Sequence, residues 1–112
     1  MDRFPVRRMR RYRQRIVQEL FTETCAHVSD LVVPLFVDEG IRTAVPIESM
    51  PGQARQPVED LPSVARRISD LDLPSVLLFG IPKEKDPEAS SAYAPDGVIQ
   101  RSVRAMKEST PD

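Results

Sequence analysis

Leu31-Val32-Val33-Pro34-Leu35-Phe36-Val37 is an unbroken apolar run, and Ser75-Val76-Leu77-Leu78-Phe79-Gly80 is its counterpart further along. Short runs without polar alternation suit strands covered on both faces, as in a parallel sheet. Pro34 dissents, because it donates no ladder hydrogen bond; it fits near a strand start or on a side without a partner. Between the runs, Leu61, Val64, Ala65, Ile68 and Leu71 recur at helical spacing. Asp60 stands at the N-cap position, Pro62 falls in the first turn and Pro74 stops the pattern, which predicts a helix over 61–71. Beyond the second run, Asp96 is another N-cap candidate. Val98, Ile99, Val103 and Met106 then form the stripe of a helix ending near Ser109, before Pro111. Strand, helix, strand, helix with buried strands predicts βαβ packing on a parallel sheet. Two such units cannot close a parallel barrel, so the order predicts the front end of a larger fold. A third strand is expected where the sequence reaches Thr110-Pro111-Asp112.

Outside these elements the chain is polar. Asp38 to Gln56 reads as a long connection containing Gly40, Pro46 and a strong turn at Pro51-Gly52. Loops of that length are usually functional or ordered by neighbours. Lys83 to Pro95 reads as a second polar loop.

The net charge of −1 over 112 residues conceals a basic arm on an acidic body. Residues 1–15 carry seven arginines against Asp2 alone, a net of +6. Residues 16–112 carry nine Lys/Arg against sixteen Asp/Glu, a net of −7. The arm extends over residues 1–29, and Ile16, Val17, Leu20 and Phe21 give its stretch from Arg10 to Thr24 a short apolar helical face. A face that short needs a packing partner to stand as a helix. Arginines in this density suit either nucleic-acid phosphates or carboxylates on a neighbouring subunit. The arm has no lysine, and its arginine-rich residues 1–15 have only Phe4 and Tyr12 to stack on bases, while the body supplies carboxylates. Subunit contact is therefore favoured, with no nucleic acid expected.

Cys25 is the single cysteine, which excludes a disulfide framework and suits a reducing compartment. No apolar stretch follows the charged N-terminus as in a signal peptide, and none approaches a membrane span. A soluble, cytoplasmic protein with no membrane partner is expected.

The residues carry little legible chemistry. His27 is the sole histidine; with Cys25 it would make a two-ligand pair, short of the three or four a metal needs. Lys83, Lys85 and Lys107 are the only lysines, and the first two stand among Glu84 and Asp86. Imine-forming lysines are usually buried so that their pKa falls, and these look solvated. Gly40, Gly52, Gly80 and Gly97 are too widely spaced for a phosphate loop. Phe79 ends the second strand, where active sites of parallel barrels lie, although such a residue is more often a packing residue.

Five segments in register resemble one family. They are Arg7-Arg8-Met9-Arg10-Arg11, Pro34 to Gly40, Ile47 to Gly52, Ser75 to Pro82, and Lys85 through Tyr93 and Gly97 to Arg101. Together they are similar to the N-terminal third of the porphobilinogen synthase (5-aminolevulinate dehydratase) family. The resemblance implies the first two βα units of a (β/α)8 barrel, beginning at residue 30, after an extended or helical N-terminal arm. It implies an enzyme condensing two 5-aminolevulinate molecules to porphobilinogen, with loss of water, in tetrapyrrole and heme biosynthesis. It implies zinc or magnesium in the full-length enzyme, and two imine-forming lysines beyond the residues present here. No catalytic or metal-ligating residue, and no bound cofactor, is therefore assigned to this chain, and alone it is expected to be inactive. Arg7, Arg8, Arg10 and Arg11 would contact a neighbouring subunit in a homo-oligomer, an octamer in many members. Phe79 would stand on the wall of the substrate pocket. At Ala89 the family usually has Gly. The competing expectation is a non-catalytic interaction module that binds a partner subunit through its arginine-rich arm.

Overall fold

The two apolar runs form the central strands of a four-stranded sheet. A computed structural model describes residues 18–110. The strands are β1 (Val32–Asp38), β2 (Val45–Pro46), β3 (Ala54–Gln56) and β4 (Ser75–Ile81). The helices are α1 (Leu61–Ser69) and α2 (Val98–Ser109). The sheet order is β2-β3-β1-β4, with β4 as a terminal strand. β1 and β4 run parallel in full register from Val32↔Ser75 to Asp38↔Ile81. The predicted parallel βαβα order is thus observed, in an α/β fold whose sheet does not close into a barrel.

The connection after β1 departs from the expectation of a plain loop. It folds into a hairpin, β2 antiparallel to β3, and β3 then joins β1 in parallel at Phe36↔Arg55 and Val37↔Gln56. Strands of two and three residues leave no periodic signal, whereas their turn does: Gly52 adopts φ +84, a left-handed conformation that glycine takes without a Cβ clash. Because β3 reaches only Phe36 and Val37, β1 has a strand neighbour on one side alone at Pro34. That is the setting in which a proline is tolerated.

Side chains alternate across the sheet, and the two faces differ. Leu35, Val37 and Leu78 lie against the helices, in a core with Leu61, Val58, Val98, Ile99 and Met106. The other face is open, contrary to the expectation that both would be buried. Val32 is 56% exposed, Leu77 52% and Phe79 44%. Both helices cover the same side, so no described element lies over the second.

The helix ends also correct the sequence expectation. Asp60 lies in a short 3-10 turn with helical φ/ψ, so its carboxylate makes no cap; instead the Ser63 hydroxyl donates to the Asp60 carbonyl at 2.8 Å. Gly97, not Asp96, occupies the N-cap of α2. α1 buries Leu61, Ala65 and Ile68 but stops at Ser69; Leu71 is exposed in the turn that follows, where Asp72 takes φ 55. In α2, Val103 is exposed and Ser102 is buried, its hydroxyl donating to the Val98 carbonyl at 2.6 Å. The inward stripe passes through Ser102, a polar residue that can lie inside because its own helix satisfies it.

Residues 1–17, which include Arg7, Arg8, Arg10, Arg11 and most of the predicted arm helix, lie outside the described residues. From Gln18 onward, all residues up to Val32 are exposed; a 3-10 turn spans Glu19–Phe21 and the chain is extended at Thr22. No helix among the described residues is long and apolar enough to cross a membrane.

Candidate functional site

Parallel packing brings the C-terminal ends of β1 and β4 side by side, and two ion pairs, Asp38–Arg55 and Glu39–Arg101, form there. Phe36 and Phe79 are register partners on the open face. Their rings stack at 5.1 Å between centroids and 17° between planes. Arg55, the β3 partner of Phe36, extends this row to the far side of β1.

Two residues on, Asp38 is 5% exposed. It accepts a hydrogen bond from Arg55 Nη1 at 2.8 Å and one from the Gly40 amide at 2.9 Å. A carboxylate buried to that degree needs such partners, because unpaired it would bear the full desolvation cost. Glu39, next in line, joins several elements: its amide donates to the Ile81 carbonyl, and its Oε1 accepts from the Lys83 amide at 2.7 Å. Its Oε2 forms an ion pair with Arg101 of α2. One carboxylate therefore fastens the end of β1, the start of the 82–97 loop and the first turn of α2 together.

The loop itself is shaped by Asp86 and Ala89. Asp86 accepts from the Ser90 hydroxyl and, at 2.8 Å, from the Ser90 amide. These bonds hold its carboxyl below the usual carboxylate range, the hydroxyl contributing most. Ala89 takes φ 53, ψ 40, a left-handed conformation that carries a steric cost for a residue with a Cβ. Between this loop and the start of α2 runs a mostly apolar cleft of about 300 Å³, lined by Gly80, Pro82, Ala89, Ala92 and Ile99 among others.

The candidates named from sequence are now placed. Phe79 reaches the C-terminal rim on the open face, as its position at the strand end predicts, and the structure adds Phe36 as its stacking partner. Lys83, Lys85 and Lys107 are all exposed. Cys25 and His27 are exposed as well, and the His27 amide donates to Asp30 Oδ2 at 2.9 Å. Among the described residues no three His, Cys, Asp or Glu side chains converge. A set of three such ligands, of the kind zinc takes, is therefore absent among the described residues. The Glu39–Arg101 and Asp38–Arg55 pairs escaped the sequence reading. Their partners are 62 and 17 residues apart, and no local pattern marks them.

A mixed four-stranded sheet, parallel at β3, β1 and β4 and covered by helices on one face, is an α/β fold that matches an incomplete (β/α)8 type. The chain belongs to the delta-aminolevulinic acid dehydratase family, whose model matches residues 6–112. The delta-aminolevulinic acid dehydratase of Methanothermobacter thermautotrophicus is 47% identical over 110 residues, covering 96% of this chain and 34% of that protein. The Escherichia coli protein of the same name is 35% identical over 108 residues, 33% of its length. A crystal structure of delta-aminolevulinic acid dehydratase (porphobilinogen synthase) from Toxoplasma gondii ME49, in complex with the reaction product porphobilinogen, superposes with a TM-score of 0.78 at 36% identity. It covers all of this chain and 31% of its own. The chain thus spans about a third of the length of the curated relatives it matches.

Proposed function

We propose that this chain supplies the N-terminal arm and the first two βα units of an enzyme that condenses two 5-aminolevulinate molecules to porphobilinogen, a hydro-lyase of tetrapyrrole and heme biosynthesis. The observation that carries the reading is the family match across residues 6–112 together with agreement of fold at a TM-score of 0.78. In that role the chain contributes scaffold and one wall. Phe79, backed by Phe36, faces the substrate pocket from the rim of β4. The Glu39 carboxylate, fixed by Arg101 and the Lys83 amide, holds the 82–97 loop beside it.

The amines for imine formation come from the remaining two-thirds of the enzyme, since Lys83, Lys85 and Lys107 are solvated. Imine-forming lysines usually stand in a buried, desolvated pocket. Zinc or magnesium is likewise held there. Arg7, Arg8, Arg10 and Arg11 pair with carboxylates of a neighbouring subunit, the −7 body being their match, in a homo-oligomer, an octamer as the family resemblance implies.

The test is a fusion of residues 1–112 to the remaining two-thirds of the Methanothermobacter relative. The fusion is expected to convert 5-aminolevulinate to porphobilinogen, and the 112-residue chain alone is expected not to. A folded fusion without turnover, or turnover by the chain alone, overturns the proposal.

A further inference from the structure

Arg101 belongs to α2, in the helix layer, yet its guanidinium reaches the rim of the sheet. Its Nη2 forms an ion pair with Glu39, whose side chain is 21% exposed against 41% for Arg101. A pair this wet adds little stability, because water screens it. Arg101 Nε is moreover buried without a hydrogen-bond partner among the described residues, which counts against stability. The free energy of the pair therefore does not account for it. What the pair fixes is the direction of the Glu39 carboxylate.

That direction matters just past Phe79. The Glu39 amide donates to the Ile81 carbonyl at 3.2 Å, and Glu39 Oε1 accepts from the Lys83 amide at 2.7 Å. These contacts straddle Pro82. Gly80 closes the other end of the segment, since a Cβ there would lie 2.7 Å from Val98 Cγ1 and from Ile99 Cδ1. The stretch 80–83 is thus fastened to β1 and α2, while Phe79, immediately before it, faces the open side against Phe36. A strand end held on the helix side sets the height and tilt of the ring on the other. Arg104 makes a bond of similar kind at the far end of the loop, from Nη2 to the Pro95 carbonyl.

We propose that Arg101 is a positioning residue for 5-aminolevulinate: it acts through Glu39 on residues 80–83 and so holds Phe79 at the pocket wall. The proposal rests on the family role given above. It adds a residue of the helix layer that governs substrate binding without touching substrate.

The test uses the fusion with the remaining two-thirds of the Methanothermobacter relative. Arg101→Ala is expected to raise KM for 5-aminolevulinate about threefold to fivefold with kcat within about twofold, since a displaced wall weakens ground state and transition state alike. Glu39→Gln keeps an acceptor for the Lys83 amide but loses the ion pair, and is expected to match Arg101→Ala. The double variant exceeds neither, as befits two parts of one link. In a Phe79→Ala background the effect of Arg101→Ala on KM disappears, which a general loss of stability would not produce. Arg104→Ala frees the far end of the loop and leaves KM within about twofold. Thermal unfolding checks that each variant is folded, and Glu39→Gln, the closer in shape, decides should Arg101→Ala not fold. An active fusion whose KM moves with neither substitution overturns the inference and leaves the function standing. So does an effect that adds in full to that of Phe79→Ala, or one that Arg104→Ala reproduces. A folded fusion without turnover overturns the function instead. Hydrogen exchange at Gly80, Ile81 and Lys83 then reads the link alone: these amides are expected to exchange severalfold faster in Arg101→Ala, and unchanged exchange overturns it.

Discussion

At the scale of single residues, the rim of the sheet is where chemistry and strain coincide. Phe79 was singled out because it ends a strand, and strand ends are legible in sequence from the Gly80 and Pro82 that follow. Its partner Phe36 was not, since pairing register is a property of two strands 43 residues apart. If Phe79 walls the pocket, Phe79→Ala in the fusion should raise KM for 5-aminolevulinate roughly tenfold with a smaller change in kcat, the signature of lost uniform binding. Phe79→Leu should recover most of the loss, and steady-state kinetics decides it. Asp86 gives a pH prediction with a definite sign. Its folded pKa is depressed below the ordinary 3.8 by Ser90, so its contribution to loop order is fully present above that value. That contribution fades as the pH falls through the lower folded value. An NMR titration of the Ser90 amide should follow this midpoint, and Ser90→Ala should return Asp86 toward 3.8. Ala89 bears a left-handed φ of 53. Relief of a cost of about 1–2 kcal/mol, offset by the greater chain entropy of glycine, predicts that Ala89→Gly stabilises by about 0.5 kcal/mol in urea denaturation.

At the scale of elements, hydrophobic pattern located every long element and missed every short one. The seven-residue strands and both helices are read from apolar spacing, because burial selects side chains along their whole length. β2 and β3 have two and three residues and are held by neighbours, so only the Pro51-Gly52 turn announces them. Capping was misjudged for a related reason. Asp60 and Asp96 look like caps, but a 3-10 turn precedes α1, and Gly97 takes the cap of α2. The close contact of β4 with α2 was equally hidden. A Cβ built on Gly80 would lie 2.7 Å from Val98 Cγ1 and from Ile99 Cδ1. Gly80→Ala therefore forces the first turn of α2 away from the sheet, at a cost of about 1–3 kcal/mol in chemical denaturation. The same shift disturbs Arg101, and with it the Glu39 link to the 82–97 loop.

At the scale of the whole molecule, sequence pattern and structure part at one informative point. Continuous apolar runs predict strands covered on both faces, yet Val32, Leu77 and Phe79 are open. The pattern records the burial for which a sequence was selected, whereas exposure records only the polypeptide that is present. The discrepancy therefore measures what the remaining two-thirds of the family fold would cover, and it has a consequence for the 112-residue chain by itself. An apolar face beside an unpaired edge strand recruits other apolar surfaces, including those of further copies. The chain alone should bind a hydrophobic fluorescent dye and sediment as a concentration-dependent mixture. Leu77→Lys sets a charge at the centre of the face, where natural edge strands carry such gatekeepers. It should lower dye binding severalfold and shift sedimentation toward the monomer, while the Val37, Leu61 and Val98 core on the opposite side is untouched. Dye binding unchanged by Leu77→Lys would place the exposed apolar surface elsewhere, and the open sheet face would lose its role as the side on which the rest of the barrel is built.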